Sequence, residues 1–442
     1  MKLTIIGAAR SGLAAARLAA SQGESVFVTD AKSAEQLTTA IATLDELDIP
    51  YEADGHTDRA LKCDLAIVSP GVPPTNPLRQ QLSAIGIPVI GEMEYASRFL
   101  TNRIVAITGT NGKTTTTALT AHVLNAGGVP AVVAGNIGVP LSSVVGDLRT
   151  EDVVVVEASS YQLDTIRDFH PYVSAILNIS PDHLGYHGTY EQYVHAKWKI
   201  FMNQVDSDVV VLNADDADAA AAHPHVRCST AFFSTRSEVE GAFVRGGEIV
   251  LRDSQHIEEI LMPVRRLGLA GLHNTYNSLA AACASRAFQL RNEDIRDSLS
   301  SFSGVEHRLE TVRVIDQVKW VNDSKATNVN AAWFALSSFD RPIVWIAGGR
   351  GDNNDYSSLD ELVETNVKAI VCIGEEADAI FNRWCTKIRC TKAVSMDDAV
   401  HQAADLAHDH DIVLLSPACK SFDMFTSFEE RGQVYKEFVN AL

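Results

Sequence analysis

The most informative part of the chain reads Ile104-Val105-Ala106-Ile107-Thr108-Gly109-Thr110-Asn111-Gly112-Lys113-Thr114. Its four leading apolar residues predict a buried strand, and the residues from Thr114 to Asn125 predict a helix. The glycines between them allow the backbone to curl so that its N–H groups face phosphate oxygens, and the first turn of a helix adds a favourable partial charge. The segment therefore predicts a phosphate-binding loop in an α/β fold.

Two side chains of this loop suit a nucleoside triphosphate. Lys113 would reach the β- and γ-phosphates, and the Thr114 hydroxyl would bind Mg²⁺. The usual first glycine of the motif is missing, since Ile107 takes its place. An ordinary glycine-rich turn is the alternative interpretation, but the flanking strand and helix favour the phosphate loop. The predicted ATP-binding residues here are Thr108, Gly109, Thr110, Asn111, Gly112, Lys113, Thr114 and Thr115.

On both sides of this loop, short β-branched runs alternate with Ala- and Leu-rich segments of helical length. This alternation is typical of βα units around a mostly parallel sheet. A Gly246-Gly247 pair inside Ala242–Arg252 predicts a hairpin, and residues 273–287 predict a helix. The predicted strands are Leu3–Ile6, Ser25–Thr29, Leu65–Ser69, Ile104–Ile107, Val153–Val156, Ala175–Leu177, Val209–Leu212, Val318–Val321, Ile343–Ala347, Ala369–Ile373 and Ile412–Leu415.

The composition narrows the class of protein. The 442 residues include 37 basic and 56 acidic side chains, a formal charge of −19, which argues against nucleic acid or an anionic membrane surface as partner. The seven cysteines are scattered and contain no C-x-x-C pair, as expected of reduced thiols rather than a disulfide framework. No apolar run approaches the length of a membrane span. We therefore expect a soluble, multidomain cytoplasmic protein.

The N-terminal segment Gly7–Gly12 follows a predicted strand and opens a helix, and Asp30 lies at the end of the next strand. This arrangement is similar to a dinucleotide-binding fingerprint, although Ala9 replaces its middle glycine. A tight turn in a Rossmann-like domain that binds another nucleotide, or none, explains the segment equally well.

Further polar residues follow predicted strands of the second block. Glu157 comes directly after Val153–Val156, and a carboxylate at the carboxyl end of a parallel strand is a common Mg²⁺ ligand. Asp182 and His183 follow the next strand. A helix cap for Asp182 and a loop histidine for His183 are equally open interpretations.

Taken together and in this order, the motifs resemble those of the Mur ligases, over nearly the whole chain. The matching segments are Gly7–Gly12, Ser69–Gly71, Thr108–Thr114, Gly135–Gly138, Glu157–Gln162, Asp182-His183, Ala196-Lys197, His273-Asn274 with Asn277, His307–Glu310, Asn322–Asn328, Gly348-Gly349 and Leu415–Cys419. The resemblance implies an α/β protein with three domains: a Rossmann-like UDP-sugar domain (1–92), a central P-loop ATPase-type domain with a parallel or mixed sheet (93–299), and a Rossmann-like amino-acid domain (300–442).

The resemblance also implies the reaction, that of the family member that adds D-glutamate. ATP, UDP-N-acetylmuramoyl-L-alanine and D-glutamate would give the amide, ADP and phosphate through an acyl phosphate, in cytoplasmic peptidoglycan precursor synthesis. The implied cofactors are ATP and two Mg²⁺ ions, with a possible N6-carboxylysine at Lys197. The partners would be small molecules only, with no nucleic acid or membrane, and the chain would be a monomer.

Roles of individual residues come from the same resemblance. The catalytic residues would be Lys113, Glu157, His183 and Lys197. The metal ligands would be Thr114, Glu157, His183 and carbamylated Lys197. ATP would also contact Asn274, Asn277, Arg308, Asp323 and Lys325. The UDP-sugar would contact Arg10, Ser11, Asp30, Lys32, Gly71, Asn136, Ser159 and His183, and D-glutamate would contact Thr327, Ser421 and Phe428.

Plainer interpretations accompany some of these roles. Lys197 could be a solvated helix lysine, with Lys199 beside it, and Arg308, Asp323 and Lys325 could form an ion-pair network. Asp352 stands where the family often has a lysine shortly after Gly-Gly. Arg350 and Lys420 are candidates for the missing positive charge near the D-glutamate side chain.

The alternatives for function come from three kinds of protein. One is an amide ligase for another amino acid, either a Mur ligase or a folylpolyglutamate synthase, although the latter family lacks the N-terminal block. The others are an NAD-dependent oxidoreductase, which leaves residues 108–114 unexplained, and a nucleotide-switch ATPase, which does not predict residues 322–328.

Overall fold

A computed structural model describes residues 1–136, 139–351 and 354–442. The chain forms two compact units, Met1–Phe302 and Ser303–Leu442. Their strands build three sheets, so the predicted α/β fold is confirmed. The predicted domain boundaries after residues 92 and 299 remain predictions.

The first sheet has five parallel strands in the order β3-β2-β1-β4-β5. The order reverses at β1, and ligands of open α/β sheets bind at such a switch point, beyond the carboxyl ends of the strands. The strands are β1 (Lys2–Ile6), β2 (Ser25–Thr29), β3 (Tyr51–Glu52), β4 (Leu65–Val68) and β5 (Val89–Gly91), and the helices are α1 (Arg10–Ser21), α2 (Thr38–Glu46), α3 (Pro77–Ala84) and α4 (Glu92–Ser97).

The second sheet has nine strands in the order β14-β13-β12-β11-β10-β9-β6-β8-β7. The strands are β6 (Ile104–Thr108), β7 (Ala131–Gly135), β8 (Val153–Glu157), β9 (Val173–Ile176), β10 (Val209–Asn213), β11 (Ser229–Ser234), β12 (Gly241–Arg245), β13 (Glu248–Arg252) and β14 (Glu258–Pro263). The helices are α5 (Lys113–Ala126), α6 (Leu141–Val144), α7 (Ser160–Asp164), α8 (Leu184–His187), α9 (Tyr190–Trp198), α10 (Ala217–Ala220), α11 (Leu272–Arg286) and α12 (Asn292–Ser301).

Two features of this sheet matter for the site. β6 lies between β8 and β9 and pairs with both in parallel, so the loops that follow these three strands meet at one edge. At the far end, β12 and β13 form the predicted hairpin, with positive φ at Gly246 and Gly247. Two residues with positive φ are what a type I′ turn requires.

The second unit contains a six-stranded sheet in the order β15-β16-β20-β17-β18-β19, parallel except for the β15–β16 pair. The strands are β15 (Glu310–Ile315), β16 (Val318–Asn322), β17 (Ile343–Gly348), β18 (Val367–Ile373), β19 (Arg389–Ala393) and β20 (Ile412–Leu415), and the helices are α13 (Val329–Leu336), α14 (Asp360–Asn366), α15 (Ala377–Trp384), α16 (Met396–Leu406) and α17 (Phe428–Ala441). Every strand predicted from an apolar run is present, with ends that differ by at most two residues.

Helix α4 joins the first two sheets and is largely buried. The Glu94 carboxylate accepts hydrogen bonds from the backbone N–H groups of Arg167, Asp168 and Phe169, at 2.9, 3.0 and 2.9 Å. Its other oxygen pairs with the Arg98 guanidinium at 3.1 Å. These bonds satisfy a carboxylate that is fully buried, and they attach the segment after β5 to the second sheet.

Two predictions from composition are also tested. All seven cysteines are free thiols. Across residues 1–136, 139–351 and 354–442, no helix is both long and apolar enough to cross a membrane.

Candidate active site

The predicted strand–loop–helix geometry of the phosphate loop is confirmed. β6 ends at Thr108 and α5 begins at Lys113. Gly112 lies between them with φ of +82°, and a Cβ atom there would overlap the Asn277 amide oxygen, so only glycine fits. The Lys113 Nζ donates to the carbonyl oxygens of Gly109 and Thr110, both at 2.9 Å. The ammonium group is therefore held at the mouth of the loop.

Asn178, just after β9, shapes the loop from the neighbouring strand. The Asn111 N–H donates to Asn178 Oδ1 at 2.8 Å, and Asn178 Nδ2 donates to the Asn111 carbonyl at 3.1 Å. The Thr110 hydroxyl lies 2.9 Å from the Tyr193 hydroxyl. Sequence reasoning missed both Asn178 and Tyr193; the only available signal was that Asn178 follows a strand at this edge.

Glu157 ends β8 and is 1% exposed. It is in register with Ile107 of β6, so its side chain lies beside the phosphate loop. Oε1 accepts from Asn136 Nδ2 at 2.9 Å, whereas Oε2 is buried with no hydrogen-bond partner among the described residues. An unpartnered buried carboxylate oxygen is costly, and a divalent cation would satisfy it. The Glu157 carboxylate is therefore a suitable ligand for the predicted Mg²⁺.

Lys197 lies on α9 and is also 1% exposed, so its interpretation as a solvated helix lysine is wrong. Its Nζ donates to the Gly109 carbonyl at 2.8 Å and lies 4.8 Å from the centre of the Tyr193 ring. Burial lowers the pKa of Lys197 well below its usual value, and the charge of Lys113 lowers it further. By contrast, Lys199 is half-exposed and pairs with Asp164 at 2.9 Å.

His183 lies at the same edge, on the loop after β9. It is the N-cap residue of α8 and has a left-handed backbone, with φ of 55°. Asp182 does not cap this helix, so that interpretation is wrong; its carboxylate lies 3.4 Å from the His183 Nε2. Burial lowers the pKa of His183, while the Asp182 charge opposes this shift and those of Lys113 and Lys197 add to it.

Asn274 and Asn277 lie on one face of α11, as their spacing predicts, with Asn277 Nδ2 donating to Asn274 Oδ1 at 3.2 Å. Asn277 is buried and accepts from the Thr116 hydroxyl at 3.2 Å. Because Asn277 also lies against Gly112, this pair adjoins the phosphate loop.

In the first sheet, Asp30 fixes the turn after β1. Its carboxylate accepts from the backbone N–H groups of Ala8 and Lys32 at 2.7 and 2.9 Å. Gly7 has φ of +98°, and its carbonyl accepts from the Ser69 hydroxyl at 3.1 Å. Arg10 and Ser11 open α1 directly after this turn, and Gly71 follows β4, so the predicted UDP-sugar residues of this sheet lie at its carboxyl edge.

In the second unit, Asp323 follows β16 and is fully buried. Its oxygens accept from the Ser416 hydroxyl at 2.9 Å and from the Leu309 N–H at 3.2 Å. Burial raises the pKa of Asp323 to about 7, against the Ser416 hydrogen bond and the charges of Arg308 and Lys325. The three predicted residues therefore influence one another electrostatically, without a direct Arg308–Asp323 ion pair among the described residues.

The raised pKa of Asp323 gives a pH prediction. Since its pKa is about 7 when folded and near 3.8 when unfolded, its stabilising effect is complete below pH 4 and is lost as pH rises through 7. We expect the wild type to lose about 4 kcal/mol of unfolding free energy from this group between pH 4 and 8, and Asp323→Asn to lose none of it. Four of the five tryptophans lie in the second unit, so urea unfolding followed by tryptophan fluorescence reports on it. Equal pH slopes in both proteins would contradict the assignment.

The residues predicted to bind the amino-acid substrate lie on three segments, which Arg431 of α17 connects. Its buried guanidinium donates to the Ser324 carbonyl at 2.8 Å and to the Cys419 carbonyl at 3.1 Å. Thr327, Ser421 and Phe428 lie on the loop after β16, the loop after β20 and the start of α17. Sequence reasoning missed Arg431, which carries no local signal. Asp352, Ile137 and Gly138 lie outside the described residues.

Comparison with known proteins places this site in a family. Three family models match: the MurD N-terminal domain at residues 2–78, the Mur ligase middle domain at 107–285, and the Mur ligase glutamate ligase domain at 307–419. The UDP-N-acetylmuramoylalanine--D-glutamate ligase of Salinibacter ruber is 48% identical over 454 residues, which cover 100% of this chain and 98% of that protein. The enzyme of the same name from Acidobacterium capsulatum is 44% identical over 444 residues, covering 100% and 96%.

Solved structures agree on the fold. The UDP-N-acetylmuramate-alanine ligase MurC from Thermotoga maritima is 19% identical and has a TM-score of 0.61, covering 100% of this chain and 99% of that one. MurF from Acinetobacter baumannii is also 19% identical with a TM-score of 0.61, covering 91% and 88%. With full-length relatives well above 30% identity, this chain belongs to the Mur ligase family.

Proposed function

We propose that this chain joins D-glutamate to UDP-N-acetylmuramoyl-L-alanine while converting ATP to ADP and phosphate. Mur ligases are ATP-dependent enzymes, and the names of the full-length relatives support D-glutamate as the amino acid added. The observation that carries the proposal is structural. A phosphate loop, the Glu157 carboxylate with an unpartnered oxygen, and the buried Lys197 amine meet at one sheet edge.

The chemistry of amide formation explains why these groups are needed together at one edge of the sheet. A carboxylate and an amine do not condense readily at neutral pH, because oxide is a poor leaving group. Transfer of the γ-phosphoryl group to the substrate carboxylate gives an acyl phosphate. The amine then attacks its carbonyl carbon, and phosphate leaves from the tetrahedral intermediate. The first transfer brings two anions together, so it depends on positive charge and positioning. We assign Lys113 to the transferred phosphate.

Mg²⁺ fits the residues present. We propose that Thr114 and Glu157 hold one ion, and that His183 and modified Lys197 hold a second near Glu157. When bound, the ions neutralise charge on the phosphates and the carboxylate. The buried, unpartnered Glu157 oxygen supports the first site.

We propose that Lys197 is carbamylated, as the resemblance to the family implies, and its surroundings support this. Burial favours the neutral amine, whose lone pair can attack CO₂; the N–C bond forms, and a proton leaves the nitrogen. The product is a carboxylate-like anion. It would remove the repulsion between Lys197 and Lys113 and supply an oxygen ligand to the metal.

The remaining assignments stay proposals of the same kind. Residues 1–92 would bind the UDP-sugar, residues 93–299 ATP, and residues 300–442 the amino acid. ATP would contact Asn274, Asn277, Arg308, Asp323 and Lys325; the UDP-sugar would contact Arg10, Ser11, Asp30, Lys32, Gly71, Asn136, Ser159 and His183; D-glutamate would contact Thr327, Ser421 and Phe428. We further propose a monomer in the cytoplasm, with small-molecule substrates only.

The D-glutamate side chain needs a cation, and we propose Lys420, the chain neighbour of Ser421, with Arg350 as the alternative. The two backbones form a bridge, with N–H to carbonyl distances of 2.9 and 3.0 Å, so both residues lie beside Ser421. Arg431 donates to the Lys420 carbonyl at 3.3 Å and so helps to fix this residue.

We therefore expect Lys420→Ala to raise the KM for D-glutamate by about 10- to 100-fold, the worth of a charge-assisted hydrogen bond, and to leave the KM for ATP unchanged. Arg350→Ala is the matched control, with a smaller effect. Steady-state phosphate release at varied D-glutamate measures both. A larger effect from Arg350→Ala would indicate that Arg350, and not Lys420, binds the D-glutamate side chain.

The test of the proposed function is phosphate release from ATP with UDP-N-acetylmuramoyl-L-alanine and each of several amino acids. Release that requires D-glutamate is the expected result. Release with another amino acid would indicate a Mur ligase of different specificity. Release that needs no amino acid would favour a nucleotide-switch ATPase instead.

A further inference from the structure

We propose that Tyr161 is a positioning residue, whose ring holds His183 at the edge of the second sheet where Glu157 and the phosphate loop meet. The inference rests on the proposed function, in which His183 is a metal ligand. The rings that we name the Tyr161 stack are Tyr161, His183, Tyr186 and His187, and Tyr193 of α9 also contacts the two histidine rings, at 6.5 and 5.4 Å.

The His183 ring needs support from side chains. It lies well beyond Ile176, where β9 ends, and α8, which follows it, is a single turn. Its side chain is 45% exposed, and its one polar side-chain contact among the described residues is with its chain neighbour Asp182. Neither the sheet nor the helix therefore fixes where the imidazole points.

Tyr161 supplies this support from the Glu157 side of the site. It is the second residue of α7, which begins shortly after Glu157 ends β8. Its ring centre lies 4.8 Å from that of His183, with the planes inclined at 43°. The contact therefore links the strand that carries one proposed metal ligand to the loop that carries another.

A second pair of contacts docks the same loop on α7. The His187 ring lies nearly parallel to that of Tyr161, at 5.7 Å and 9°, and its Nε2 is 3.0 Å from the Ser160 hydroxyl. His187 is buried. Two neighbouring residues of α7 thus hold both ends of α8, and the backbone of His183 is constrained together with its ring.

The stack also reaches the first sheet. Tyr186 lies 4.3 Å from Tyr161, and its hydroxyl accepts from the Arg79 guanidinium at 3.4 Å. The same guanidinium nitrogen donates to the Val72 carbonyl at 2.7 Å, next to Gly71 in the turn proposed to bind the UDP-sugar. The orientation of His183 is therefore coupled through Tyr186 and Arg79 to the sugar-binding turn.

The first test compares substitutions at Tyr161. Tyr161→Ala and the better-filled Tyr161→Leu are expected to lower kcat by about 10- to 100-fold, the usual cost of losing a residue that orients a metal ligand. They should also raise the Mg²⁺ concentration needed for half-maximal rate, with the KM for ATP within about twofold. Tyr161→Phe should restore near wild-type behaviour, because the hydroxyl makes no hydrogen bond among the described residues.

Tyr172→Ala is the matched control. Tyr172 packs on Phe288 at 5.4 Å and donates to the Ala287 carbonyl at 3.1 Å, in the same unit but outside the stack. It should lower the melting temperature without changing the Mg²⁺ requirement. If Tyr161→Leu behaves in the same way, or Tyr161→Phe is as defective as Tyr161→Leu, the positioning role is overturned.

A binding measurement separates this inference from the proposed function. Mn²⁺ binding, followed by electron paramagnetic resonance with a non-hydrolysable ATP analogue, should be about 10- to 100-fold weaker in Tyr161→Leu and unchanged in Tyr161→Phe. Unchanged Mn²⁺ affinity in Tyr161→Leu would overturn the inference even if the wild type is active. Failure of D-glutamate to support phosphate release by the wild type would instead overturn the proposed function.

Discussion

Replacement of Lys113 by alanine is expected to lower the rate of ligation by about 10³-fold or more, because the transferred phosphate loses its cationic partner. Lys113 already lies at the mouth of the loop, with its Nζ held by two loop carbonyls. A phosphate group entering there would meet the ammonium group without a large rearrangement. The effect should therefore appear mainly in kcat, as expected of charge stabilisation in the transition state.

Single-turnover phosphate release from bound ATP measures this loss directly. Lys62→Ala is a suitable control, since Lys62 is an exposed lysine of the same unit and should leave the rate unchanged. Retained circular dichroism and retained binding of UDP-N-acetylmuramoyl-L-alanine would show that the variant is folded. A near-normal rate in Lys113→Ala would contradict the identification of residues 108–114 as a phosphate-binding loop.

Replacement of Lys197 by alanine is expected to abolish activity, and added formate or acetate should restore part of it. The buried site would lose the proposed carbamate, and a short carboxylate could occupy the same space and offer the same oxygens. No such rescue is expected for Lys113→Ala, which lacks a cation rather than an anion. The two variants thus distinguish the roles of two lysines that approach the same Gly109 carbonyl.

Lys199→Ala is the matched control for Lys197. It removes a half-exposed lysine that lies two residues after Lys197 and pairs with Asp164. Near wild-type activity is expected. Intact-mass measurement under CO₂ should show one added carboxyl group on the wild type and none on Lys197→Ala. An unmodified wild type, or an active Lys197→Ala without added carboxylate, would contradict the carbamate.

Local signals in the sequence allowed most of the buried strands and the hairpin to be predicted. Apolar runs such as Val153–Val156 are buried strands, and the Gly246-Gly247 turn is a hairpin. Edge strands were missed for a physical reason. β19, Arg389–Ala393, lies at the edge of its sheet and only its last residue is buried, so it lacks the apolar run of a central strand.

The candidate site was predictable for residues in motifs and unpredictable for those that support them. Lys113 is identified by the loop motif that follows β6, and Glu157 by its position at the carboxyl end of β8. The supporting residues contact parts of the chain that are distant in sequence: Asn178, Tyr193 and Arg431. The order of strands in a sheet, which brings such residues together, cannot be predicted from one apolar run. The burial of Lys197 is of the same kind, since an ordinary helix pattern surrounds a side chain that the fold then encloses.

Gly112 has a consequence for inhibitor design. Its left-handed backbone and its contact with Asn277 leave no space for any side chain. A compound that binds the backbone at this position would therefore meet a surface that a single point mutation cannot alter without distorting the loop. Escape by substitution at Gly112 itself would also require a change at Asn277, so two mutations would be needed rather than one.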